Sequence, residues 1–220
     1  MIPIFRKCCY NGPHMLTILS IVILIFSVII HEVSHGLMAN RLGDPTARLQ
    51  GRLTLNPLKH IDPIGTIVVP LITYFAGFTF GWAKPVPYNP YNLKNRRVGE
   101  FLIAFAGPAS NILIALIFGF IIRLVVTDVG IVSENIASFI QVTKYIVVIN
   151  IVLAVFNLIP LPPLDGSKLL FSILPIQYSR TRQILETYAP IGILIVVLFL
   201  WQFVSPAIPF IFNIFTGLTV

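Results

Sequence analysis

The chain has 220 residues, 56% of them hydrophobic and only 10% charged, with a formal net charge of +7 and a mean hydropathy of +0.90. That composition excludes a water-soluble globular domain and indicates an integral membrane protein. It does not point to nucleic acid either, because almost all of the 15 Lys and Arg lie between apolar runs, where basic residues set topology and meet anionic lipid.

Cys8 and Cys9 are adjacent, which argues against a disulfide framework. The run MLTILSIVILIFSVII, Met15 to Ile30, carries no charge. It is too long for a signal-peptide core and no small-residue cleavage pattern follows it, so a retained spanning helix is expected over about 15–40. At its end stands HEVSH, residues 31–35. On a helix His31 and His35 project from one face and can reach a single ion, with Glu32 beside them. Two ligands and a carboxylate placed to take a proton from water make the zincin arrangement. Shuffling the chain's own His and Glu gives this pattern only about once in a thousand arrangements, the false-positive risk that such a motif carries. Charged types at mid-bilayer each cost about 2.5–3.5 kcal/mol, so three ionisable residues within one pentad are hard to explain as packing.

Further along, residues 43–63 bring Gly, Pro, charge and short alternation, read as a surface loop with a small β-hairpin near 47–58. Residues 64–82 are apolar but broken by Gly65, Pro70, Gly77 and Gly81, which suits a re-entrant segment better than a regular span. A basic, Pro-rich stretch over 83–100 leads into an expected helix at about 100–126. A second follows at about 136–159 and ends in NLIPLPPLDG, where prolines stop it. A polar segment with Lys168, Arg180 and Arg182 precedes a helix at about 186–204, and 206–220 reads as a short hydrophobic segment. The expected fold is an all-α polytopic membrane protein of about 4–6 membrane helices, a single membrane-embedded domain over 1–220 without repeats.

A catalytic zinc usually takes three protein ligands and keeps one position open. Candidates for the third are Asp44, Asp62, Glu100, Asp128, Glu134, Asp165 and Glu186, with His14 and His60 as nitrogen donors. Asp165 stands out, because it follows a proline-broken apolar helix that frees local backbone at the membrane edge. Asp44, His60 and Asp62 sit in a polar loop, where turn-forming roles are commoner.

HEVSH at the end of a membrane helix, AGPASN at 106–111 and NLIPLPPLDG at 157–166 together resemble the site-2 protease family of intramembrane zinc metalloproteases. GRLTLNPLKHIDPIGTIVVP and GWAKPVPYNP resemble its compact bacterial and archaeal branch, which lacks PDZ and CBS domains. The resemblance runs from the first helix to Gly166. It implies one Zn²⁺ per chain held by His31, His35 and Asp165, with Glu32 as general base. It also implies that Asn157 assists the substrate strand or the oxyanion, and that Gly107 and Asn111 pack helices near the site. The substrate implied is a transmembrane or membrane-proximal segment of another protein, within a prokaryotic cytoplasmic membrane. A zinc transporter or sensor without proteolysis is the alternative, and it has no use for Glu32.

One ion can be reached only if His31, His35 and Asp165 lie at one depth. The helices that end near them must then run in the same direction, so an odd number of spans separates them. If 64–82 is re-entrant, the basic residues from Arg41 to Arg97 and from Lys168 to Arg182 all fall on one side, the cytosolic side by the positive-inside rule. The site is then expected to open toward the cytosolic leaflet.

Overall fold

The computed structural model describes residues 13–69, 71, 75, 83–128 and 133–218. The apolar run at the start of the chain forms α1 (Pro13–Arg41). It stops at Gly43, whose φ is +105°. There Asp44 N–H donates to Ala39 O at 3.0 Å and Gly43 N–H to Asn40 O at 3.3 Å, satisfying carbonyls that the helix end leaves open. A single turn, α2 (Thr46–Leu49), follows.

After the loop come α3 (Arg96–Asp128) and α4 (Glu134–Asn157), the latter capped by the Ser133 hydroxyl. The proline cluster at Pro160, Pro162 and Pro163 separates α4 from α5 (Asp165–Ile173). The chain continues through α6 (Ser179–Thr187), α7 (Ala189–Ile195), a π-helical turn Val196–Leu200, α8 (Trp201–Val204) and α9 (Ala207–Thr216).

The core lies where α3, α4 and α9 meet, with Ala115, Ile122, Val147, Ile151, Ile208 and Phe212 buried together. Outward faces remain apolar: Leu24 is 43%, Leu113 58% and Phe120 59% exposed. In water such surfaces aggregate, whereas against acyl chains they are at rest, and the backbone groups beneath them are satisfied within the helices. Met15–Arg41, Arg96–Val126 and Glu134–Asn157 are each long and apolar enough to cross a membrane.

Polar contacts register these three helices by depth. Ser27 on α1 lies level with Asn111 on α3 and Asn150 on α4. Moving along α1, His31 meets Asn111 and His35 meets Ile103, so α3 runs opposite to α1. Past the end of α4, Asp165 meets both histidines, so α4 runs with α1. One full helix, α3, therefore intervenes between the two parallel ones.

Two expectations are corrected. Residues 47–58 form no β-hairpin: they comprise the end of α2, a turn at Gly51, irregular backbone and the start of a 3₁₀ turn, Pro57–Lys59, and no strand occurs among the described residues. The alternation over Leu53 and Leu55 has no partner strand, because Arg52 turns inward and binds the carbonyls of Lys59, Lys84 and Pro85. The expected helix over 186–204 is divided after Thr187. Its longest part, 189–204, covers about 24 Å at 1.5 Å per residue, short of the roughly 30 Å hydrocarbon core. Three helices, rather than four to six, thus reach spanning length among the described residues. Of the expected re-entrant segment, Pro63–Val68 is a π-helical turn, and most of 70–82 lies outside the described residues.

Candidate metal centre

α1 presents His31 and His35 on successive turns, and α5 opens with Asp165. The three are 5%, 8% and 6% exposed. His31 Nε2 lies 3.0 Å and His35 Nε2 3.1 Å from Asp165 Oδ2, and the two Nε2 atoms are 3.0 Å apart. Among the described residues these are the His, Cys, Asp and Glu side chains grouped closely enough to share an ion.

The protonation pattern follows from the partners. Asn150 Nδ2 donates to Ile146 O at 2.9 Å and to Ser27 Oγ at 2.9 Å, which fixes its amide orientation and leaves Oδ1 to accept from Asn111 Nδ2 at 2.8 Å. Asn111 Oδ1 therefore faces His31 Nδ1, at 2.6 Å, and Nδ1–H must be the donor. His35 Nδ1–H likewise donates to Ile103 O at 2.6 Å. In the neutral tautomer that these partners select, each imidazole turns an Nε2 lone pair toward Asp165 Oδ2, itself an acceptor. Three acceptor atoms at this spacing repel one another unless a proton or a metal cation lies among them. Ligands at about 2.0–2.1 Å from a tetrahedral zinc are about 3.3 Å apart, close to the spacing found here, and two imidazoles with one carboxylate form a catalytic-type donor set. The residues present fit zinc. The Asn111 and Ile103 acceptors are the outer-shell partners that orient such histidines.

The close approach of α3 depends on Gly107. A Cβ there would stand 2.6 Å from His31 Nε2 and 2.5 Å from His35 Cε1, inside van der Waals contact. Pro108 follows within the helix and removes the donor for Ala104 O, loosening the turn next to the one whose Ile103 carbonyl receives His35.

Glu32 is half-buried, and its Oε2 accepts from the backbone N–H of Val86 at 2.8 Å. Val86 stands between Pro85 and Pro87, so its N–H is the sole backbone donor of that tripeptide. The strap is held on both sides: Lys84 N–H donates to His60 O at 2.9 Å, and Asn89 N–H to Asp44 Oδ2 at 2.7 Å. Lys168 Nζ lies 3.3 Å from Asp165 Oδ1, the oxygen turned away from the histidines. Burial opposes the charge on Lys168, but the neighbouring Asp165 carboxylate outweighs it and holds the lysine pKa above its ordinary value.

The resemblance implies that Asn157 assists the substrate strand or the oxyanion. Its Nδ2 donates to Leu153 O of its own helix at 2.9 Å, and among the described residues no hydrogen bond ties it to the histidine cluster. His60 and Asp44, weighed as ligands, belong to the loop: His60 Nε2 binds Thr54 O and Asp44 accepts from Thr46, Asn89 and Asn92. Asn150, Ser27 and the Val86 N–H were missed. An asparagine inside an apolar run was the available signal for Asn150; nothing in the sequence marks a backbone donor.

Comparison with known proteins follows the same line. The profile of Peptidase family M50 matches residues 125–200. The chain is 38% identical over 190 residues to "Putative zinc metalloprotease YwhC" of Bacillus subtilis, covering 84% of this chain and 80% of that protein. It is 30% identical over 206 residues to Rip2 of Mycolicibacterium smegmatis, named in the same way, covering 92% and 72%. No solved structure matches significantly.

Proposed function

The chain belongs to peptidase family M50, the site-2 proteases, and is a zinc metalloprotease; from that premise we propose that it is an intramembrane endopeptidase in which His31, His35 and Asp165 hold one zinc ion and Glu32 is the general base. The observation that carries this reading is the convergence of three acceptor atoms, 3.0–3.1 Å apart, beside a carboxylate fixed by a backbone donor.

Bound zinc supplies the Lewis acid that polarises the scissile carbonyl and acidifies water. The chain's own residues do the rest. Val86 holds Glu32 Oε2, which leaves Oε1 to take the proton of the attacking water and deliver it to the leaving amine. Asn111 and Ile103 accept from the two Nδ1–H groups and so orient both imidazoles with Nε2 toward the ion, and Lys168 engages the outer oxygen of Asp165. Asn157 is the proposed donor to the developing oxyanion, a role that requires its amide to leave Leu153 O.

The substrate proposed is a transmembrane or membrane-proximal segment of another protein, cut within a single membrane-embedded peptidase domain over 1–220. Residues 64–82 are proposed to enter and leave the membrane on one side, an assignment supported by the His60–Lys84 backbone bond outside the two flanks. With α1 and α4 parallel, the basic residues around Lys94 and Arg180 then lie on the cytosolic side, toward which the site opens. The test compares transmembrane-protein fragments in cells expressing wild type or Glu32→Gln. Fragments present with wild type and absent with the variant are expected; the same fragments in both would sink the proposal.

A further inference from the structure

A cleft of about 440 Å³ opens between the loop that follows α2 and the strap that carries Val86. Its cations are Arg52, Lys59 and Lys84, and no carboxylate lines it. Among the described residues none pairs with any of the three, the ion pairs lying elsewhere. Arg52 is only 7% exposed. Its terminal nitrogens donate to the carbonyls of Lys59, Lys84 and Pro85, while its Nε is buried without a partner. Carbonyl dipoles satisfy hydrogens but do not neutralise a charge, and a buried charge without a counter-charge is costly. The cleft therefore has the electrostatic character of an anion site.

The rim identifies which anion. Leu58 is 75% exposed and Ile61 37%, beside the exposed side chains of Lys59 and Lys84. These residues lie in the loop that follows membrane helix α1, which the proposed topology puts at the membrane surface, where headgroups meet acyl chains. A free phosphate would answer the cations and leave Leu58 and Ile61 in water. A phospholipid answers both.

We propose that this cleft binds the phosphodiester of an anionic phospholipid, with Lys59, Lys84 and Arg52 facing the phosphate and Leu58 and Ile61 covered by its acyl chains. The test is native mass spectrometry of the intact chain in neutral detergent, offered equal amounts of short-chain phosphatidylglycerol and phosphatidylcholine. Wild type is expected to retain phosphatidylglycerol preferentially, and the Lys59→Gln/Lys84→Gln pair to lose that preference by about thirtyfold, the scale set by two basic side chains near an anionic surface. A control pair, Lys94→Gln/Arg180→Gln, removes the same charge from exposed positions outside the cleft and is expected to keep it. An undiminished preference in the cleft pair overturns the proposal, as does an equal loss in the control pair. Displacement of the lipid by millimolar inorganic phosphate would overturn the assignment to lipid.

Discussion

The backbone N–H of Val86 donates to Glu32 Oε2 at 2.8 Å, across 54 residues of sequence. The proposed base is thus anchored by a strap rather than by its own helix. Glu32→Gln keeps a side-chain oxygen for Val86 while abolishing the base, so the variant should fold, bind zinc and lose about 10²–10⁴ in cleavage rate. Glu32→Ala leaves the Val86 N–H unpaired as well and should be less stable than Glu32→Gln by about 1–3 kcal/mol. Thermal unfolding in detergent compares the two; equal stability would show that the Val86 bond does not anchor the strap.

His31 owes its orientation to Asn111, and Asn111 to Asn150 and Ser27. Asn111→Leu keeps the branch at Cγ with somewhat larger ends, and removes the acceptor of His31 Nδ1. Zinc should then be lost to a chelator about 10- to 100-fold more readily, the usual effect of removing an outer-shell partner. Competition with a fluorescent chelator measures this, and unchanged zinc retention would contradict the oriented-histidine account.

Much of this was legible in the sequence because helical spacing and the cost of intramembrane charge are strong constraints. HEVSH and LPPLDG located the cluster, and the demand for equal depth forced α1 and α4 to run together, as the contacts of Ser27, Asn111 and Asn150 show they do. What failed was local. GRLTL alternates like a strand, yet Arg52 found carbonyl partners across the loop and pulled the backbone away from any ladder. The catalytic place of Asn157 is a different case: it comes from resemblance and stays a proposal, its amide donating here to Leu153 O. The Val86 contact was invisible because a backbone N–H has no sequence signature.

Asp44 ties the end of α1 to the strap. Burial works against its charge, but hydrogen bonds from Thr46, Asn92 and Asn89 outweigh that and hold its pKa below the ordinary carboxylate value. A carboxylate with a lowered folded pKa stabilises the protein above its unfolded pKa, near 3.9, and loses that contribution as pH falls through the folded value. Asp44→Asn should therefore cost about 1–3 kcal/mol at neutral pH. The gap from wild type should narrow progressively below about pH 4. Melting curves at several pH values check this, and a gap independent of pH would assign the loss to shape rather than charge.

Topology is open to direct labelling. In a background without Cys8 and Cys9, a cysteine at Lys94 should react with a membrane-impermeant reagent only from the cytosolic side. A cysteine at Glu134, across α3, should react only from the other. Lys94 labelled from outside would reverse the orientation.

The central claim is that one zinc ion is held by His31, His35 and Asp165 while Glu32 acts on water without binding the metal. The zinc-to-protein ratio of the purified chain tests it most directly. The account predicts one zinc in wild type, one in Glu32→Gln, and little or none in His35→Ala or Asp165→Asn. Full zinc in Asp165→Asn, or its loss in Glu32→Gln, would contradict it.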